Sequence, residues 1–218
     1  MNRRILPAAA ALVSAAALLL TACGGGDDNK SKKPDKIAGA DDGASTSPTP
    51  SASASTAPGR PKIELPTDLS YTFQWPETGD RDKDAVLSDG EQFIKATDLA
   101  VANQDPLDKA YRFYSEGEMA AGTQKYVQGY VDSNLRTTGK YRFYDSSVRI
   151  SKDGRATLTY CEDQGKAFGL HIKTKKIDHT PVTSKSYVLY NTSLRKNERG
   201  VWVTTKMFTL RGNAKCQP

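Results

Sequence analysis

The hydrophobic period of this chain changes once, near Gly139–Lys140, and that change constrains what it can fold into. Before it, apolar residues recur at helical spacing. Val86, Phe93, Ile94, Thr97, Ala100 and Val101 share one face of a segment from Asp82 to Asn103. Gly90 is a local weakness there, because glycine inside a helix costs ~1 kcal/mol relative to alanine. Asp105-Pro106 then offers an N-cap and a first-turn proline for a short helix with Leu107, Ala110, Tyr111 and Tyr114 on one side. A third helix, Glu116 to Asn134, aligns Met119, Thr123, Tyr126, Val127, Tyr130 and Val131. Gly139 closes the helical half.

From Lys140 the period is two. Tyr141 and Phe143 alternate, then Val148 and Ile150 take the opposite parity, which predicts a bulge near Asp145-Ser146-Ser147. Ala156, Leu158 and Tyr160 form the next strand. A two-residue turn would set Ile150 against Thr157, apolar against polar. A three-residue Lys152-Asp153-Gly154 loop instead pairs Ile150 with Ala156 and Val148 with Leu158, with Gly154 left-handed. Ser184 to Arg195 and Val201 to Arg211 form a second hairpin around 196–200. Between the hairpins, 165–183 reads as a loop or short edge strand near His171-Ile172, with a turn at Thr174-Lys175-Lys176.

These elements predict an α+β fold: three N-terminal helices packed on one face of a curved antiparallel sheet of four to five strands. Charge divides at the same boundary. Residues 66–138 hold 7 Lys+Arg and 13 Asp+Glu, net −6; residues 139–218 hold 16 and 6, net +10. The moderate total of +6 conceals a dipole between helical and strand halves.

Residues 24 to about 65 cannot build a core. Residues 23–65 run from Gly24-Gly25-Gly26 through mixed charges into Ser, Thr, Ala and Pro, with Ile37 and Ile63 almost the only large aliphatics. A flexible tether of this length reaches roughly 35 Å. Thr46 to Thr56 reads as a bare linker, with O-linked sugar as the alternative. Ahead of the tether, Asn2-Arg3-Arg4 precedes an apolar run from Ile5 to Leu20, the layout of a secretory signal over 1–22. Leu20-Thr21-Ala22-Cys23 resembles the lipobox of bacterial lipoproteins. That resemblance implies cleavage before Cys23 and a lipid on its sulfur, with palmitate-type acyl chains. Two or more chains, at ~0.8 kcal/mol per buried CH₂, anchor a protein stably. The expected location is the extracytoplasmic face of the cell membrane.

With Cys23 lipidated, Cys161 and Cys216 remain. In an oxidising compartment they most simply pair with each other, and no C-x-x-C spacing supports redox work.

The order of helices then strands resembles the NTF2-like (cystatin-like, SnoaL-like) cone fold. Tyr160-Cys161-Glu162-Asp163, Gly200-Val201-Trp202 and the closing Cys216 resemble, more narrowly, a group of small secreted actinobacterial, Streptomyces-like lipoproteins. The likeness covers roughly 82–216; Tyr160 departs from it, since many of that group have Asp there. It speaks to fold and hardly to activity.

There is no G-x-S-x-G, and His171 and His179, the only histidines, show no ligand spacing. No cofactor, metal site or catalytic residue is therefore assigned. Acid–base chemistry in a cone cavity is the enzyme class left open. Asp163 or Glu162 could be the carboxylate, and Tyr111, Tyr114, Tyr126, Tyr130, Tyr160 or Tyr190 a donor. The expected function is non-enzymatic binding of a ligand or partner at the cell surface, with Tyr160, Asp163, Lys173, Lys175 and Lys176 as candidate binding residues. The alternatives are a small cone-cavity enzyme of the SnoaL or ketosteroid-isomerase type, and an accessory domain of cell-wall machinery. A deep cavity with a buried carboxylate beside a tyrosine hydroxyl would favour the enzyme; a cavity filled by side chains would exclude it. Nucleic acid is not an expected partner; an anionic wall polymer, an anionic lipid surface or another protein is. Binding through the basic half should weaken when salt rises from about 50 mM to about 500 mM in a polymer or liposome pulldown, because the Debye length falls well below ~8 Å. Equal binding at both salts would remove the electrostatic contribution.

Overall fold

In the computed structural model, which describes residues 59–218, the first regular element is a strand, β1 (Leu69–Phe73). The expected signal segment 1–22, the lipidation site Cys23 and the tether through residue 58 lie outside the described residues. Asp80 caps the first helix, α1 (Arg81–Asn103), accepting from the backbone N–H groups of Asp82 and Lys83. The short helix α2 (Lys109–Phe113) starts later than Asp105-Pro106 suggests. Asp108 caps it through the Ala110 N–H, while Asp105 closes a turn with the Leu107 N–H. The third helix, α3 (Gly117–Ser133), ends at a left-handed Asn134.

Five more strands follow: β2 (Leu135–Ile150), β3 (Arg155–His171), β4 (Ile177–Asp178), β5 (Tyr187–Lys196) and β6 (Trp202–Arg211). Their order is β1-β2-β3-β5-β6, with β4 on the end of β3. The sheet is thus six-stranded and mixed, where an antiparallel sheet of four to five strands was expected. β1 runs parallel to β2, with Leu69 beside Gly139 and Phe73 beside Phe143. Parallel neighbours need a long crossover. The three helices are that crossover, so this strand precedes them in the chain and escaped a reading that placed every strand after Gly139.

The central strands are also longer than expected. β2 begins directly after Asn134, and β3 runs on through 165–171, expected as a loop or a short edge strand near His171, with 166–171 pairing with 135–140. Gly139 does not separate helix from strand; it lies within β2 at φ +98°, where a Cβ would stand 2.2 Å from the Lys166 carbonyl oxygen. Gly139, Gly165 and Gly169 interrupt the apolar alternation, which hides these strand ends in the sequence.

Turn chemistry, by contrast, was legible. Ile150 pairs with Ala156 and Val148 with Leu158, and Gly154 has φ +76°. The register of β2 shifts between Tyr144 and Ser147, at a left-handed Asp145, and such bulges bend a strand. The last hairpin sets Lys196 beside Trp202.

All three helices cover one face of the sheet. The first half of α1 lies tight against it: a Cβ on Gly90 would meet Leu158 Cδ2 at 2.6 Å, which explains a glycine in mid-helix. One residue earlier, the fully buried Asp89 accepts from the Trp202 N–H at 2.8 Å and from Arg60 Nη1 at 2.5 Å. Arg60 and Ile63, part of the tether by composition, therefore pack on the domain, with Ile63 against the helical core. On the sheet's other face a disulfide joins Cys161 to Cys216, with Cα atoms 5.5 Å apart. The chain-entropy argument for a crosslink of this span gives ~4 kcal/mol. The Cys161→Ser, Cys216→Ser double variant should lose stability of that order in urea unfolding, and thiol titration of the oxidised Cys23→Ala chain should find no free thiol.

Candidate functional site

Strand alternation sends Tyr141 and Phe143 of β2, Tyr160, Glu162 and Gln164 of β3, Tyr190 of β5, and Met207, Thr209 and Arg211 of β6 to the helix side of the sheet. The second half of α1 adds Phe93, Ile94, Thr97 and Asp98, and α3 adds Met119, Gly122, Thr123, Tyr126 and Tyr130. Together they enclose a cavity of about 420 Å³, within the range of small-molecule sites. The exposed lining residues Gly122, Tyr126, Thr209 and Arg211 mark its mouth. The cavity is open space, not a packed core.

Two carboxyl groups face it. Glu162 is only 6 % exposed. Gln164 Nε2 donates to its Oε2 at 2.9 Å, and the Tyr190 hydroxyl is its other polar neighbour. Burial pushes the Glu162 carboxyl up to about 7; the charge of Asp98 adds to this, while Tyr190, Gln164 and Arg211 oppose it. Asp98, on α1, accepts from the Tyr71 hydroxyl and from Thr137 Oγ1 at 3.4 Å. Burial raises its carboxyl to about 6 against the pull of those two bonds.

Aromatic rings supply the rest of the wall. Tyr160 and Tyr190 stack at 4.8 Å with planes 5° apart. Burial lifts the hydroxyls of Tyr141, Tyr160 and Tyr190 well above their ordinary range, so they stay protonated donors. The site thus combines apolar rings, phenol donors and two acids that gain or lose a proton near neutral pH.

The structure brings together some of the residues singled out by sequence and separates others. Tyr160, Glu162, Tyr126, Tyr130 and Tyr190 line the cavity; Tyr111 and Tyr114 are buried in the helical core. Asp163 has the opposite parity to Glu162. It pairs with Arg142 Nη2 at 3.2 Å and accepts from the Gly165 N–H at 2.8 Å. Lys173, Lys175 and Lys176 fall in the turn before β4 and are not among the lining residues; Lys176 pairs with Asp178 at 3.4 Å. Asp98 and Tyr141 were missed. Asp98 stands four residues after Ile94 on the apolar helix face, and a polar residue in that stripe was the available signal. Among the described residues no three His, Cys, Asp or Glu side chains cluster as metal ligands; His171 Nε2 meets Asp178 Oδ2 at 2.7 Å.

No family model matches the sequence, and no curated protein does. Solved structures do overlap the chain. ActVI-ORFA from Streptomyces coelicolor is 15% identical, covering 61% of this chain and 98% of its own at a TM-score of 0.39. Aln2 from a Streptomyces species is 10% identical, covering 63% and 94% at 0.41. A protein titled a putative ketosteroid isomerase, from Shewanella frigidimarina, is 12% identical, covering 59% and 97% at 0.33. At these identities and TM-scores the likeness carries no argument about activity or ligand.

Glu162 ties stability to pH. Its folded-state value, about 7, lies above the ordinary 4.5, so the folded state holds the proton more tightly than the unfolded chain. Its contribution is fully favourable below the ordinary value and is lost as pH rises through the folded one. Between about pH 5 and pH 8 the wild type should therefore lose about 2–3 kcal/mol relative to Glu162→Gln in urea unfolding.

Proposed function

We propose that this chain is an NTF2-like domain, lipid-anchored through Cys23 on the extracytoplasmic face, that takes a small, largely apolar molecule into its cavity and exchanges a proton with it through Glu162. The observation that carries this reading is a buried carboxyl, raised to about 7, on the wall of an open cavity beside the Tyr190 hydroxyl. At neutral pH such a group is available in both forms, as proton-transfer catalysis requires. The chemistry it suits is removal and return of a proton beside a carbonyl. Glu162 takes the proton from carbon, and a phenol donor such as Tyr160 or Tyr190 stabilises the oxyanion that forms. Arrangement of the helices and the mixed sheet supports the cone reading, and the Leu20-Thr21-Ala22-Cys23 motif supports the anchor.

One observation favours pure binding instead. Glu162 is nearly covered and already engaged by Gln164 and Tyr190, which leaves little of the carboxyl for a substrate. The two readings separate in deuterium oxide. Cyclic ketones and enones incubated with the full chain should gain deuterium next to the carbonyl, read by NMR, and Glu162→Gln should slow this by about 10²–10⁴-fold while leaving binding intact. Binding without exchange would make the domain a binding module. Loss of membrane association in Cys23→Ala, followed by cell fractionation, tests the anchor.

A further inference from the structure

Among the described residues, Arg211 is the one cationic side chain in the cavity lining. It sits at the last residue of β6, exposed at the mouth near Tyr126 and Thr209. Its guanidinium is held in place rather than loose. Nη1 donates to Gln164 Oε1 at 2.7 Å and to the Lys185 carbonyl at 2.8 Å. Neither bond goes to a carboxylate, and neither uses Nε or Nη2. Gln164 in turn donates to Glu162, so a run of hydrogen bonds links the buried acid to the guanidinium at the rim.

Resting on the cavity-binding reading, we propose that the ligand is an amphipathic organic anion, with its ring body against the tyrosines and its carboxylate or sulfonate on Arg211. A planar guanidinium with unused donors matches such a group in a two-point geometry that a lysine ammonium does not. Two fixed hydrogen bonds spare the guanidinium the ordering cost of a free arginine. The apolar wall formed by Phe93, Ile94, Met119, Phe143 and Met207 accounts for the rest of the molecule.

Two probes share an aromatic body and differ in charge: anilinonaphthalene sulfonate and the neutral N-phenylnaphthylamine. Fluorescence titration of the full chain should show the sulfonate bound more tightly. Arg211→Gln should weaken the sulfonate by about tenfold to a hundredfold, the span of a charge-assisted hydrogen bond, and leave the neutral probe unchanged. Arg211→Lys should recover only part of that loss. Retained binding of the neutral probe shows that each variant keeps its fold and cavity. If both probes bind alike in wild type and Arg211→Gln, the anion subsite is wrong and the cavity reading stands. If neither probe binds, the cavity reading fails and the subsite with it.

Discussion

The interior of this domain is organised around the way α1 is fastened to the sheet at one end. Asp89 reaches through the helix layer to the Trp202 N–H on β6 and to Arg60. Beside it, Gly90 brings the helix backbone against Leu158. A buried carboxylate that lost either partner would be strongly destabilising, by about 3–5 kcal/mol for a broken buried pair. This contact seals the sheet where β6 begins, at Val201, Trp202 and Val203. Further along α1, Phe93, Ile94, Thr97 and Asp98 line open space facing the second half of β6. The same helix therefore closes one end of the fold and walls a cavity at the other.

That division explains why two carboxyl groups can remain in the interior. Asp89 is buried directly against the Arg60 guanidinium. Among the described residues, Asp98 and Glu162 have only hydroxyl and amide donors, with Arg211 acting on Glu162 from the rim. Without a direct countercharge, burial favours the protonated acid, and their affinity for protons rises. These three acids on the same side of the sheet thus differ in character because of their partners, not their residue type. The disulfide and the Asp163–Arg142 pair belong to the opposite face and brace the sheet without touching the cavity.

Legibility followed the range of the interaction. The turn at Gly154, the bulge near Asp145 and the faces of α1 and α3 depend on neighbours a few residues away, and the pattern showed them. β1 did not stand out, because five alternating residues have no meaning until a partner strand 70 positions later lies beside them. The ends of β2 and β3 were hidden by glycines whose reason is the approach of another backbone. At the site, Glu162 and Asp163 look equivalent as adjacent acids. Parity from Tyr160 separates them, since residues two apart share a face. Asp98 needed the helix face to be read for its polar exception.

The order of helices and later strands, the first hairpin's register and the pairing of Cys161 with Cys216 could all be read from the chain alone, because local period, turn residues and cysteine count suffice for those. Three-dimensional packing was needed to make the sheet mixed, to join 60–65 to the domain, and to bring Asp98, Glu162 and Arg211 onto one cavity. The last of these depends on where α1 crosses the sheet. That crossing is set by one glycine and one buried carboxylate whose contacts on the sheet lie more than sixty residues away.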